Sequence, residues 1–177
     1  MKKIFTLLLL CSSLIAYSQL TYLGSIGNST YYVSNNTTSW TNANILCADS
    51  GGSMVAINSL QESDSLNILI GTIPFGPNAY WIGLVDGNST WENGESIVFT
   101  NYDGSYSENE YSYMYIQANG LWDNSPNDGS EVPAGIYAIM EIAIIYGCTD
   151  SSACNYNSNA TNDDGSCVFS TISSNTV

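Results

Sequence analysis

The sequence predicts an α+β fold, because two helical patterns come early in the chain and only strand patterns follow them. The helical patterns lie within residues 39–71, whereas residues 80–145 contain β-rich runs separated by Gly, Asn and Asp. A third observation is the Cys-rich stretch from Gly147 to Phe169, which has almost no aliphatic residues and cannot form a conventional core. We therefore expect one main domain with an ordinary core and a small appendage.

The first 18 residues have the pattern of a secretory signal peptide. Lys2 and Lys3 are the only basic residues of the chain, and they precede an apolar run at 4–10. This run is too short to span a bilayer, and no later segment approaches the roughly 20 apolar residues that a membrane helix needs. We expect cleavage near Ser18 and an exported chain without membrane insertion.

A hairpin and a first helix are predicted next. Residues 22–33 read as two short strands around a Gly-Asn turn, and Ser39 is placed to cap the helix. Gly51 ends the helical pattern. The apolar residues on one face of this helix are Trp40, Ala43, Leu46 and Cys47.

A short strand and a second helix follow. The strand is predicted at 54–57, and the spacing of Ser59 and Glu62 matches a capping box that opens the helix. Gly71 is expected to stop it, and its inward-facing residues are Leu66, Leu69 and Ile70. The remaining predicted strands are 80–85, 97–99, 111–116 and 136–145.

The charge balance excludes several classes of function. The chain has 16 acidic residues, no His and no basic residue after Lys3. Nucleic acid and anionic lipid surfaces are therefore poor partners, whereas divalent cations are good ones. Ser-His-Asp, Cys-His and Schiff-base catalysis and His-ligated zinc are also excluded. A pair of carboxylates is the one common catalytic arrangement left, and since no residue order singles one out, we predict that the protein is not an enzyme.

Five motifs occur in order along the second half of the domain. They are YWIGL at 80–84, WENGE at 91–95, TNY at 100–102, GLWDNSP at 120–126 and YAIME at 137–141. With the two preceding helices, they resemble the C-type lectin-like domain, especially its secreted bacterial forms. The resemblance implies a fold of two helices and a mixed sheet with a long loop, which in sugar-binding members helps to hold a Ca²⁺ ion that contacts vicinal sugar hydroxyls.

The long loop departs from the sugar-binding pattern of that family. It lacks the Glu-Pro-Asn or Gln-Pro-Asp motif, and the usual Trp-Asn-Asp reads Trp-Asp-Asn. Ca²⁺ accepts six to eight oxygen ligands in flexible geometry. One interpretation is therefore that residues 108–110 and 122–124 form a site for Ca²⁺ and a ligand. The other is that Trp122 is a core residue followed by a turn and that 108–110 belong to a solvated acidic loop. The candidate ligand-binding residues are Glu108, Asn109, Glu110, Trp122, Asp123 and Asn124, of which all but Trp122 are candidate metal ligands.

Cysteine usage also departs from the family pattern. The resemblance implies a bridge from Cys47 to the last strand, but Met140 occupies the partner's position. An exported protein favours complete pairing, so a bridge from Cys47 to the appendage is attractive. The alternative is a buried free Cys47 that packs as a small apolar residue. The disulfide candidates after cleavage are Cys47, Cys148, Cys154 and Cys167.

The appendage resembles a short repeat of large exported proteins from Bacteroidetes-type bacteria. The matching segments are GCTD at 147–150, NYN at 155–157 and DDGSC at 163–167. A disulfide-stapled module spacer is the favoured interpretation, and Ca²⁺ binding by its Asp and Asn side chains is the alternative.

The predicted organisation is a signal peptide (1–18), a C-type lectin-like domain (19–146), a Cys-rich repeat (147–169) and a tail (170–177). The predicted function is non-enzymatic recognition or adhesion, assisted by Ca²⁺, by a protein that is secreted or held at the cell surface. The alternatives are a Ca²⁺-dependent carbohydrate-binding lectin and a structural, self-assembling extracellular protein. The expected partners are glycans, extracellular protein surfaces or further copies of the chain.

Overall fold

The computed structural model of the chain describes residues 19–73, 79–85, 87–103, 110–115 and 120–170. The predicted signal peptide, Glu108, Asn109 and most of the predicted tail lie outside these residues. The chain divides between Ile142 and Ala143 into two compact units. Within the described ranges, no helix has the length and apolar character needed to cross a bilayer.

The first unit is built on one mixed sheet with two helices. Its elements are β1 (Leu20–Ile26), β2 (Ser29–Ser34), α1 (Trp40–Asp49), β3 (Ser53–Met54), α2 (Leu60–Gly71), β4 (Ala79–Val85), β5 (Tyr111–Tyr115), β6 (Trp122–Ser125) and β7 (Tyr137–Ala143). Over the described residues, the strand order is β1-β2-β7-β4-β5-β6, with β3 paired to β7. The pair β4–β7 is parallel, whereas β1–β2, β4–β5 and β5–β6 are antiparallel. This confirms the predicted α+β class.

Strand β4 is buried on both faces and separates two apolar clusters. Successive strand residues point to opposite faces, so Tyr80 and Ile82 join one cluster and Trp81 joins the other. The first cluster includes Leu66 from α2, and the second includes Ala43 from α1. The two helices therefore cover opposite faces of the sheet.

Both helices begin at the predicted caps. The Ser39 hydroxyl accepts a hydrogen bond from the Asn42 backbone N–H at 3.3 Å, and the Ser59 hydroxyl accepts one from the Glu62 N–H at 3.1 Å. Helix α2 ends at Gly71, as predicted. The first helix ends at Asp49, and Gly51 follows with φ of 82°, a left-handed conformation that favours glycine.

Two strand predictions differ from the structure. Residues 97–99 form no strand, although the Ile97 N–H donates to the Ser89 carbonyl at 3.3 Å. The short strand predicted at 54–57 is reduced to Ser53–Met54, which pairs with β7. In addition, β6 is a strand that apolar patterning did not predict, because polar residues occupy three of its four positions.

The second unit is small and contains the disulfide. The strands β8 (Tyr146–Gly147) and β9 (Asn162–Asp163) pair in parallel. Cys148 is bonded to Cys167, and Cys154 is a free, exposed thiol. Because Cys47 and Cys154 are both free thiols, the expected bridge from Cys47 to the appendage is wrong.

Cys47 is instead a free thiol with no exposed surface. It lies on the inner face of α1, in the cluster that also contains Met54 and Met140. Burial raises the pKa of this thiol to about 12, so it stays protonated and packs as an apolar residue. The alternative reading of Cys47 from the sequence is therefore the one that the structure supports.

Candidate functional site

The candidate residues 122–124 lie on β6, the last strand in the order of the sheet. On one side, β6 pairs with β5 in a register that places Asp123 opposite Tyr113. On the other side, the Trp122 N–H donates to the Asn101 carbonyl at 2.9 Å, and the Asp103 N–H donates to the Trp122 carbonyl at 3.1 Å. The start of β6 is therefore fixed by hydrogen bonds from both sides.

Trp122 anchors this strand in the core. Its side chain has no exposed surface, and its ring lies 5.6 Å from the Trp91 ring and 5.7 Å from the rings of Phe99 and Tyr102, in edge-to-face geometry. The indole N–H makes no hydrogen bond within the described part of the chain. Trp122 thus positions its neighbours and offers no surface to a ligand.

Asp123 and Asn124 differ in their access to solvent. The Asp123 side chain is partly exposed, whereas Asn124 is only 5% exposed. One carboxylate oxygen of Asp123 accepts from the Asn124 backbone N–H at 2.9 Å, and the other accepts from the Tyr113 hydroxyl at 3.3 Å. Strand alternation directs the side chains of Asp123 and Asn124 to opposite faces.

Asp103 and Glu110 flank residues 104–109, which the structure does not describe. Asp103 is exposed beside the start of β6, and Glu110 is partly buried just before β5. Since Tyr111 is opposite Ser125, Glu110 lies beyond the far end of β6, about 10 Å along the strand from Asp123. We call Asp103, Glu110, Asp123 and Asn124 together the β6 edge.

The described residues of the β6 edge do not by themselves fit a Ca²⁺ ion. Both carboxylate oxygens of Asp123 are already hydrogen-bonded, Asn124 is buried, and Glu110 is distant along the strand. Across the described ranges, no three acidic, His or Cys side chains come close enough to hold a metal. A calcium site here would need Glu108 and Asn109, which lie outside the described residues.

A polar cluster that sequence reasoning missed surrounds Glu141 on β7. The Ser29 hydroxyl donates to one Glu141 carboxylate oxygen at 2.6 Å, and the Ala56 N–H approaches the other at 3.3 Å. Burial raises the pKa of Glu141, and repulsion from Glu62 and Glu95 raises it further, against the lowering effect of these hydrogen bonds. The available sequence signal was a single Glu within the otherwise apolar strand YAIMEIA.

Glu62 connects this cluster to α2. Its carboxylate accepts from the Tyr31 hydroxyl at 3.1 Å and from the Asn58 N–H at 2.9 Å. Burial and the nearby charges of Glu141 and Glu62 hold the pKa of Tyr31 well above its usual value, so it remains a hydrogen-bond donor. The sequence indicated only the capping role of Glu62.

The comparisons with known proteins agree on one family. The model of the Lectin C-type domain family matches residues 36–131, more than half of the chain. A 65-residue stretch is 38% identical to the human secretory phospholipase A2 receptor; it covers 36% of this chain and only 4% of the receptor. The chain is thus similar to a small part of that curated relative.

Solved structures show the same fold. The C-type lectin CEL-I from Cucumaria echinata superposes with a TM-score of 0.56 at 20% identity, covering 70% of this chain and 94% of CEL-I. The SPL-1 complex with GlcNAc superposes with a TM-score of 0.56 at 18% identity, covering 71% of this chain and 93% of SPL-1. These similarities establish the architecture of the first unit as C-type lectin-like.

Proposed function

The chain belongs to the C-type lectin domain family, and we propose from this premise that it is a non-enzymatic recognition module that acts outside the cell. Its ligand class is a glycan or an extracellular protein surface, and the outcome is adhesion. Two of the similar solved structures, the C-type lectin CEL-I and the SPL-1 complex with GlcNAc, support a glycan as the first choice.

The observation that carries this proposal is the geometry of the β6 edge. A recognition surface needs polar groups held at fixed positions and open to solvent. Backbone hydrogen bonds to the Asn101 carbonyl and from the Asp103 N–H hold the strand on one side, and β5 holds it on the other. The core position of Trp122 fixes the rotation of the strand. The partly exposed Asp123 carboxylate is then held in a fixed position by its hydrogen bonds to Tyr113 and to the Asn124 N–H.

We further propose the organisation of the whole chain. Residues 1–18 direct export, 19–146 form the lectin-like domain, 147–169 are a repeat of the Bacteroidetes type and 170–177 are a tail. The second unit, which begins at Ala143 and carries the Cys148–Cys167 disulfide, supports a separate stapled module, since such bonds persist in oxidising compartments.

Replacement of Asp123 tests the ligand face. We expect Asp123→Asn to weaken binding to an array of immobilised oligosaccharides at least tenfold, because the variant keeps the shape of the side chain and removes its charge. Asp64→Asn is the matched control, since Asp64 is an exposed carboxylate on α2. Equal binding by the Asp123→Asn variant and the parent protein would overturn the assignment of the β6 edge.

A Ca²⁺-dependent lectin is the second candidate, favoured by the excess of 16 acidic over two basic residues in the chain. In such a lectin the ion would contact the sugar directly, with Glu108 and Asn109 completing the ligand set. Thermal unfolding in EDTA and in millimolar Ca²⁺ separates the two candidates. Mg²⁺ at equal ionic strength is the control, because a chain of net charge −14 responds to any salt.

A site of this kind predicts a rise in melting temperature that is specific to Ca²⁺ and that Glu110→Gln and Asp123→Asn each remove. Asp64→Asn should keep the rise. The same small shift in Ca²⁺ and Mg²⁺ would retire the calcium mechanism and leave metal-independent recognition.

A further inference from the structure

A polar groove of about 260 Å³ lies between the β1–β2 hairpin and α1. It is lined by Gln19, Ser34, Asn36, Thr37, Thr38, Asn42 and Leu46. The groove involves the strands at the opposite end of the sheet order from β6, so it is separate from the β6 edge. Nothing in the sequence motifs pointed to it.

The backbone that forms the groove is held in place. The Asn35 N–H donates to the Gln19 carbonyl at 2.8 Å, and the Thr38 N–H donates to the Ile136 carbonyl at 2.9 Å. The Trp81 indole N–H donates to the Thr38 carbonyl at 2.8 Å. A preformed groove of this kind spares a ligand the entropy cost of ordering the loop.

Gly135 allows this segment to pack closely. Its φ of 74° is left-handed, and a Cβ added there would lie 2.6 Å from Thr37 Cγ2. Thr37 is thereby held against the turn that precedes β7. Its exposed hydroxyl remains at the groove, beside the exposed side chains of Asn36 and Asn42.

The side chains that line the groove are uncharged, although the chain has 16 acidic residues. Within the described residues, the side-chain amides of Gln19, Asn36 and Asn42 make no hydrogen bond to another protein group. Each amide offers two donors and an acceptor, and each hydroxyl offers one donor and an acceptor; the hydroxyls of a sugar ring present donors and acceptors that match them. Because no lining side chain is a carboxylate or a basic group, the side chains of the groove offer no charge to pair with a cation or an anion.

An aromatic pair lies next to the groove on the same face of the hairpin. Leu20 is opposite Ser34, and the next pair on that face, Tyr22 with Tyr32, follows about 7 Å along the strands. The two Tyr rings are 5.7 Å apart in edge-to-face geometry, and Tyr22 is 59% exposed. An exposed Tyr ring gives an apolar surface with a polar tip, on which the C–H face of a sugar can pack.

From these observations we propose that the groove is a second saccharide-binding site, which takes one neutral sugar unit through amide and hydroxyl contacts with Tyr22 as the flanking platform. Its volume is just below the roughly 300–1,000 Å³ of pockets for drug-sized ligands, so it accommodates a single unit and not a branched chain. The inference rests on the proposed function for its ligand class. It places a metal-free site at the sheet end opposite the β6 edge, which would let one module contact two positions on a glycan-covered surface.

Titration of the ¹⁵N-labelled protein tests this site by the NMR signals of its side-chain amides. The probes are neutral oligosaccharides of glucose, galactose, mannose and N-acetylglucosamine, added in EDTA. We expect the amide signals of Gln19, Asn36 and Asn42 to shift with one of these probes. The double variant Asn36→Ala/Asn42→Ala should weaken the affinity at least tenfold, and Tyr22→Ala should weaken it less.

Two further variants separate the outcomes. Gln61→Ala removes an exposed amide from α2 and is the matched control, which should bind as the parent does. Asp123→Asn should leave the groove signals unchanged. Shifts confined to residues around the β6 edge would overturn the groove site and keep the proposed function. No shift at either place with any probe would overturn the groove site and also the glycan reading of the proposed function.

Discussion

Glu141 shows how a single residue can make stability depend on pH. Its carboxylate is largely buried within β7, and burial first, then the charges of Glu62 and Glu95, raise its pKa. A raised pKa means that the folded state holds a proton that the unfolded state has already released. The free energy of unfolding should therefore fall as the pH rises from about 4.3, the ordinary Glu value, through the raised folded value.

We predict that Glu141→Gln removes this part of the pH dependence. The amide stays neutral at every pH, and its oxygen still accepts one of the two hydrogen bonds from Ser29 and Ala56. Urea unfolding at pH 4, 5, 6 and 7 measures the free energy of unfolding of parent and variant. The stability of the variant relative to the parent should increase as the pH rises. Glu131→Gln, at an exposed position, is the control and should show no such trend. A constant difference across this range would contradict the prediction.

Helix α2 shows what capping contributes at the scale of an element. The Ser59 hydroxyl accepts from the Glu62 N–H, and the Glu62 carboxylate reaches back to the Asn58 N–H. Ser59→Ala removes the first bond and should lower the free energy of unfolding by about 1 kcal/mol. Urea unfolding measures this loss. Ser65→Ala, within the same helix, is the control and should change stability by less than about 0.5 kcal/mol, because Ala favours the helix interior. Equal losses in both variants would show that the cap does not stabilise α2.

The elements also show which parts of the fold the sequence could predict. Helices α1 and α2 were predictable because their caps and apolar faces are local signals. Strand β6 was not, because Asp, Asn and Ser have little strand preference and its conformation depends on pairing with β5, which residues 122–125 alone do not reveal. The run at 97–99 has strand-like residues but forms no strand, and the isolated bridges on either side of it join Thr90 with Ser96 and Tyr102 with Trp122, so local preference overstated it.

The candidate site was less predictable for the same reason. The sequence identified Trp122, Asp123 and Asn124 as neighbours. It could not show that Trp122 and Asn124 are buried while Asp123 is partly exposed, because this depends on how β6 pairs within the sheet. The sequence also favoured a bridge from Cys47, because an even number of cysteines suggests complete pairing. The number of cysteines cannot show that the Cys47 thiol is enclosed by apolar neighbours. The Glu141 cluster brings together residues up to 112 positions apart, which no local pattern reveals.

At the scale of the whole molecule, the two units achieve their stability by different means. The first unit has two apolar clusters on a sheet, whereas the buried apolar residues described in the second unit are Cys148 and Ala153 alone. The strands of the second unit, β8 and β9, have two residues each. A unit with so little core depends on its crosslink, and a disulfide that spans 19 residues contributes about 3 kcal/mol by restricting the unfolded chain.

We therefore predict that the variant Cys148→Ser/Cys167→Ser loses the amide-exchange protection of residues 143–170. Hydrogen exchange measured by mass spectrometry follows this directly, and peptides from β4, which is buried on both faces, provide the internal reference. Cys154→Ser is the matched control: it replaces an exposed free thiol and should keep the protection of the parent. If the double variant remained protected, hydrogen bonds such as that from the Val168 N–H to the Asn155 side chain, at 2.7 Å, would suffice to order the unit without the disulfide. Loss of protection in the double variant alone would instead make the second unit a module whose folding requires oxidising conditions.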